Sequence, residues 1–297
     1  MNTLLAPTFP PLVNPALPDI RASLARTKKT DGRVHLSHIR NQTVLTQCYA
    51  TSPLKLLSPR PAGPSAWIYT STFGGGLVAG DNINLHITLD PHTKTFLSTQ
   101  SSTKIYRSNN NLPCRQHLSA SLAEDSLLIY APDPLICFAD SIYEQRQSFH
   151  IRPTSSLFFL DSLTSGRHAR GERWAFSRYS NRTDIHINNA HLLADSLLLD
   201  SADGDLKSPF RMSRFDCLAT VILLGPHFTQ LAQQLLGEIS SQPPPRHSDF
   251  IVVASPLADG AIFRLASTDL RQVSKFLSIF RRHFHELLGE DPLTRKW

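Results

Sequence analysis

The densest run of ionisable side chains lies between Leu160 and Trp174, where Asp161, Arg167, His168, Arg170, Glu172 and Arg173 surround two glycines. It follows a short apolar run, and a charged loop leaving a buried strand is a common seat of binding or catalysis. Asp161 and Glu172 are candidates for the acid and base of a hydrolase or lyase. The competing reading is a solvated loop with local ion pairs. No recognisable nucleophile accompanies the carboxylates, because the chain contains neither a G-x-S-x-G elbow nor an H-E-x-x-H helix. Its 13 histidines invite a metal reading. His35 and His38 would share a helix face, but their surroundings read as a strand, where that spacing puts them on opposite faces. His283 and His285 sit two apart on a helix and do not converge either.

A second candidate is the glycine-rich stretch Phe73–Asp81, with Gly74, Gly75, Gly76 and Gly80. A phosphate-binding loop needs Lys and Ser or Thr directly after the last glycine and a helix to follow. Here Asp81 follows Gly80, and the next residues alternate like a strand. The glycines therefore indicate a tight β connection that uses positive φ.

The elements that must carry these residues read as many short strands. Ile83, Leu85, Ile87 and Leu89 alternate with Asn82, Asn84, His86 and Thr88, as on a half-buried strand. Asp90-Pro91-His92-Thr93 turns the chain and Lys94 opens a returning strand. Strands are also expected at 33–41, 43–51, 66–73, 118–122, 126–130, 141–151 and 157–160, with two more between Thr183 and Leu199. Such a series indicates a mainly β fold of sandwich-like, stacked or solenoid-like sheets. No fixed sequence period is present.

Near the C-terminus, Phe228, Leu231, Ala232, Leu235, Leu236 and Ile239 follow helical spacing, as do Leu270, Val273, Phe276, Leu277, Phe280, Phe284, Leu287 and Leu288. Ser267 or Thr268 is placed to cap the second helix and Gly289 to end it. The phenylalanines are expected to pack inward rather than to form a partner groove. Between the helices, two short strands flank a hairpin signal at Asp259-Gly260. The expectation is a loosely ordered arm over residues 1–30 and one β-rich domain over 31–297, its helix-bearing part beginning near 215.

A chain of 297 residues, 41% hydrophobic, can bury a large core. No apolar run approaches the roughly 20 residues that span a bilayer, and the proline-broken N-terminus is a poor signal peptide. Four dispersed cysteines without a CxxC pair fit a reducing, cytosolic setting. The net charge of +6 leaves a basic nucleic-acid-binding module as an alternative, although the cations are scattered and no RNA-binding signature accompanies them.

Three segments carry a resemblance when taken in order: FGGGLVAGD (73–81), STQSSTKIYRS (98–108) and DSLTSGRHARGE (161–172). Together they resemble the UreD (UreH) family of urease accessory proteins, best over residues 36–199. Ala79 stands where the family commonly has glycine. The resemblance implies a non-enzymatic, cytoplasmic, β-rich protein with C-terminal helices. It implies no tightly bound cofactor, no membrane and no nucleic acid. The implied partners are UreF-like and UreG-like proteins and apo-urease, with a homodimer formed through that complex. It also implies transient handling of nickel, along a route for which Asp81, Thr99, Gln100, Ser102 and Glu172 supply weak oxygen ligands. Gly75, Gly76, Gly80, Lys104, Tyr106, Arg107, Arg167 and Arg170 are then the structural or partner-related residues of the matching motifs.

Overall fold

Strand-forming alternation dominates the chain, and a computed structural model shows how it is organised over residues 29–241 and 247–295. The expected N-terminal arm lies outside the described residues apart from 29 and 30, as does the proline run at 243–245. The elements begin with β1 (Lys29–Ile39), β2 (Gln42–Ala50), β3 (Leu54–Leu57), β4 (Ala66–Thr72) and β5 (Gly76–Leu77). Next come β6 (Asn82–Leu89), β7 (Lys94–Thr99), β8 (Lys104–Ile105), β9 (Cys114–Leu122) and β10 (Leu127–Tyr130). They continue with β11 (Leu135–Cys137), β12 (Ile142–Ile151), β13 (Ser156–Thr164), β14 (Arg178–Ile187), β15 (Ala190–Asp200) and β16 (Cys217–Leu224). The last part holds α1 (Thr229–Ser240), β17 (Phe250–Leu257), β18 (Gly260–Ser267), α2 (Leu270–Leu277) and α3 (Arg281–Leu288).

These strands form two facing sheets. One has seven strands in the order β15-β14-β12-β9-β6-β1-β2; the other has eleven, running β17-β18-β16-β13-β10-β7-β4-β3 with β5, β8 and β11 attached beside β13. The strand opened by Lys94 does not return along β6. It crosses to the other sheet and pairs parallel with β4 and β10, while β6 pairs parallel with β1 and β9. The chain repeats that step at β9 to β10 and β12 to β13, so each circuit lays one strand on each sheet beside the previous circuit. The result is a solenoid-like stack without a sequence repeat. The circuits need only matching inward faces, and their connections differ in length.

The two kinds of strand carry different patterns because their faces meet different neighbours. Among the described residues only one face of the seven-stranded sheet is covered, and β6 and β12 alternate buried with exposed or half-buried residues. The eleven-stranded sheet is covered on both faces, so β10 (LLIY) and the start of β13 (SLFFL) are buried at every position. Its outer face packs Trp67, Phe96, Phe158, Val221 and Phe263 against Phe228, Ala232 and Leu235 of the α1 region and Val273, Phe276, Phe280 and Phe284 of the later helices. Apolar burial on this scale is the dominant stabilising term.

The second apolar stripe is interrupted. Residues 278–280 form a turn of 3-10 helix between α2 and α3, where the Ser278 hydroxyl donates back to the Lys275 carbonyl at 2.6 Å. Asp269 caps α2 by accepting from the Arg271 backbone N–H, in place of the expected Ser267 or Thr268. Ser267 instead supports that cap, accepting from the Asp269 N–H at 3.1 Å. Gly289 ends α3 at φ +84° as expected. In the β17–β18 hairpin Gly260 pairs with Leu257, so Ala258 and Asp259 form the loop. Gly260 is needed because a Cβ there would lie 1.8 Å from the Leu223 carbonyl oxygen.

Candidate functional site

The sequence-matched motifs meet in the β5–β8–β11 branch of the eleven-stranded sheet, beside β13. Gly76 pairs with Lys104 in β5–β8, and β8 pairs on to β11. A Cβ on Gly76 would lie 2.3 Å from the Lys104 carbonyl oxygen and 2.7 Å from the Tyr106 ring, so only glycine fits. Gly75 and Gly80 adopt positive φ. The Tyr106 hydroxyl donates to the Gly74 carbonyl at 2.9 Å, and its ring meets Phe138 edge-on at 5.2 Å. The Arg167 guanidinium lies 3.9 Å from the centre of the same Phe138 ring. Two aromatic side chains, Tyr106 and Phe138, thus join all three segments.

Glu172 completes this cluster. It accepts from Nε and Nη2 of Arg167 and from the Ala139 backbone N–H, rather than pairing with Arg170 or Arg173. The Arg167 guanidinium, through its hydrogen bonds, holds the Glu172 carboxyl below its ordinary pKa. Arg173 instead binds Asp216 and the Ser213 carbonyl. Arg107 pairs with Asp140 at 3.2 Å, and Lys104 and Arg170 are exposed. Asp81 accepts from the Val78 N–H and so closes the glycine turn. Thr99 donates to Asp133 at 2.9 Å; Gln100 is exposed and Ser102 half-buried.

Asp161 is not part of the charged loop. It lies within β13, and its side chain faces the space between the sheets. There it accepts from Gln145 Nε2 at 3.4 Å and Asn181 Nδ2 at 2.6 Å. It shares no hydrogen-bonding partner with Glu172, so the two carboxylates do not form an acid–base pair. Positive charge is likewise dispersed: Arg115, Arg152, Arg178, Arg182 and Arg264 each pair with a carboxylate.

The residues around Asp161 form a row that the sequence reading missed. Parallel register places Gln116, Gln145 and Asn181 side by side on the inner face of β9, β12 and β14. The Tyr143 hydroxyl lies 3.1 Å from Gln116 Oε1 and 2.9 Å from Gln145 Oε1, and its single proton serves one of them at a time. The line therefore runs Gln116, Tyr143, Gln145, Asp161, Asn181. At one end Gln116 borders a small cavity of about 30 Å³ with Ser102, Thr103, Thr72 and Gly75. At the other, Asp161 and Asn181 border a cavity of about 200 Å³ with Tyr179, Asp195, Ser196 and Arg264. Arg264 crosses from β18 to Asp195 on β15 at 2.6 Å and bounds that end. A signal was present in the sequence: in β9, β12 and β14 these polar residues occupy the same phase as Leu118, Phe149 and Ile185, which are buried.

Burial pushes the Asp161 carboxyl up to about 6. A raised value means that the folded state holds the proton more tightly than the unfolded chain. Stability is then highest below about pH 4 for this group and falls as pH rises through about 6. The carboxyl borders a cavity, so we take the cost of its charge as on the order of 1–2 kcal/mol. Asp161→Asn is expected to gain that much on the unmodified chain at pH 7.5, and the difference should vanish near pH 4. Denaturant unfolding at the two pH values checks it; an equal difference at both would show that the charge is not what costs stability.

The four cysteines are free, and Cys114 is pushed up to about 12 by burial, which makes it a poor thiolate ligand. Among the described residues no helix is long and apolar enough to cross a membrane.

Comparison with known proteins gives a consistent picture. The family model described as "UreD urease accessory protein" matches residues 28–297. A "Urease accessory protein UreD" of Sorangium cellulosum is 43% identical over 271 residues, covering 91% of this chain and 85% of that one. A "Urease accessory protein D" of Oryza sativa subsp. indica is 31% identical, over 92% and 98% of the two chains. Its counterpart in Arabidopsis thaliana is 30% identical, over 88% and 98%.

Proposed function

The chain belongs to the UreD family of urease accessory proteins, and from that membership we propose that it conducts nickel to apo-urease while serving as the scaffold on which UreF-like and UreG-like partners assemble. A role in urease maturation follows from the family. The observation that supports a conducting role is the unbroken polar line between two cavities, set in a largely apolar space between the sheets that also holds the buried pair Gln147 and Thr183. A borderline divalent cation moves along oxygen donors that are weak and dispersed; a closed cage of strong donors would retain it. Amide and hydroxyl oxygens of Gln116, Tyr143, Gln145 and Asn181 with one carboxylate, Asp161, meet that requirement. Ser102 stands at the small cavity. Thr99 and Gln100 lead toward it along β7 and the residues that follow. In this reading Asp81 and Glu172 act indirectly, by holding the glycine turn and the Arg167 loop beside the entrance.

The protein holds no cofactor of its own and works in the cytoplasm. Any nucleotide belongs to the UreG-like partner, since the glycine turn lacks the lysine and helix of a phosphate loop.

The test is co-purification of the full chain with a UreF-like protein, a UreG-like protein and apo-urease, followed by nickel activation of the assembled urease. Recovery of the complex with activation dependent on this chain is the expected result. Failure to recover any of the partners, or activation at the full rate without the chain, would overturn the proposal. Asp81→Ala and Glu172→Ala extend it: each is expected to lower activation several-fold in proportion to loss of complex. Normal assembly with normal activation in both would remove these residues from the entrance.

A further inference from the structure

Outside the interior line, the exposed face of the seven-stranded sheet gathers imidazoles from three neighbouring strands. His150 on β12 is in register with His186 on β14, and His186 with His191 on β15. The rings of His150 and His186 stack at 4.8 Å between centroids and 12° between planes. Those of His186 and His191 are also 4.8 Å apart, tilted by 50°. We infer that this histidine ladder, His150–His186–His191, is a surface capture site for a borderline divalent first-row cation such as Ni²⁺.

Three observations carry the assignment. First, neighbouring-strand imidazoles a ring-stack apart are within reach of one metal after rotation of the side chains, which at a surface takes picoseconds to nanoseconds. The rings are stacked rather than already converging, and among the described residues no three His, Cys, Asp or Glu groups form a ready cage. The site is therefore one that closes on the ion. Second, His186 Nδ1 is out of contact with solvent and has no hydrogen-bond partner. An imidazole nitrogen left without a partner loses free energy that a metal bond would restore. Third, each outer histidine has a polar neighbour at its other nitrogen. Asp184 Oδ1 lies 3.0 Å from His191 Nε2, and the Ser148 hydroxyl lies 3.2 Å from His150 Nε2. Metal-binding histidines commonly have the non-ligating nitrogen held in this way, which leaves Nδ1 as the donor.

Asp184 is itself held by Arg182 through two hydrogen bonds, so it positions His191 and is not counted as a ligand. An all-imidazole donor set favours nickel, copper or zinc over magnesium or calcium. Beside His150 runs an open groove of about 380 Å³, bordered also by Asp90, Glu124 and Arg152, through which a hydrated cation can approach.

The inference goes beyond the interior route and does not depend on it. Its test is calorimetric titration of the tag-free full chain with nickel chloride, with magnesium chloride as the control. Saturable micromolar binding of one nickel and no heat with magnesium are expected. His186→Gln should weaken binding at least about tenfold, the loss that follows even when only a partner orienting a metal ligand is removed. His150→Gln and His191→Gln should each weaken it several-fold, whereas His285→Gln on α3 should leave it unchanged. Thermal melts establish that the variants are folded. The ladder is overturned if nickel gives no saturable binding, or if the triple variant H150Q/H186Q/H191Q binds like the unmodified chain. Urease activation is not read in this experiment, so a negative outcome leaves the interior route standing, and failure of that route leaves the ladder standing.

Discussion

Asp161→Leu is expected to cut nickel activation of urease at least about tenfold while the complex with its partners still forms. The carboxylate is the only charged member of the line from Gln116 to Asn181, and it faces that line from the opposite sheet. Leucine has the same branched shape, is larger and carries no donor atom, so it closes the polar path, and the adjoining cavity accommodates the added volume. Complex formation should survive because Asp161 lies between the sheets rather than on an outer face. The substitution also removes a carboxylate whose ionisation burial opposes, so stability at pH 7.5 is expected to be kept or raised. That combination separates the route from a purely structural role, which would lower stability and activation together. The measurement pairs activation of apo-urease with size-exclusion analysis of the assembled complex. Unchanged activation in a normally assembled complex would sink the proposed route.

Phe280→Ala is expected to cost about 3–5 kcal/mol of stability, the range for truncating a large buried aromatic. Phe280 is 0% exposed. Its ring contacts Phe158 at 5.1 Å, Phe276 at 5.9 Å and Phe284 at 6.1 Å between centroids. Phe158 comes from β13, so the truncation also loosens the helices from the strand whose other face carries Asp161. Aromatic contacts of this geometry add to area burial. Denaturant unfolding of the isolated chain measures the loss. A variant of unchanged stability that had lost only partner binding would mean that the phenylalanines form a groove instead of the core beneath the helices.

Much of this was legible before any tertiary structure. Ile83, Leu85, Ile87 and Leu89 are all buried, because alternation in sequence maps directly onto the two faces of a strand. The apolar run of β13 was legible as buried and that of β10 as a strand, and the two helical stripes both found a core. Gly289 was legible as a helix end because a left-handed residue after the last turn is a local requirement. The interruption at 278–280 was not, since it depends on Ser278 bonding back to the Lys275 carbonyl rather than on the apolar period.

Strand partners were beyond the reach of local pattern. The turn at Asp90–Thr93 has the same residues whether Lys94 pairs back on β6 or crosses to the other sheet. Only the facing apolar surfaces, Trp67 and Phe96 toward the helices and Ile83 and Leu85 toward the intersheet core, decide for the crossing. The same limit hid both functional features proposed for this chain. Gln116, Gln145 and Asn181 are far apart in sequence and are brought together by the parallel register of β9, β12 and β14; the same parallel register brings His150 to His186, while His191 joins them through the antiparallel β14–β15 hairpin. The sequence by itself determined the family, the strand faces and the helices, because each rests on contiguous residues. Tertiary structure alone decided which polar side chains became neighbours, because a one-residue slip in register would have turned every one of them to the opposite face.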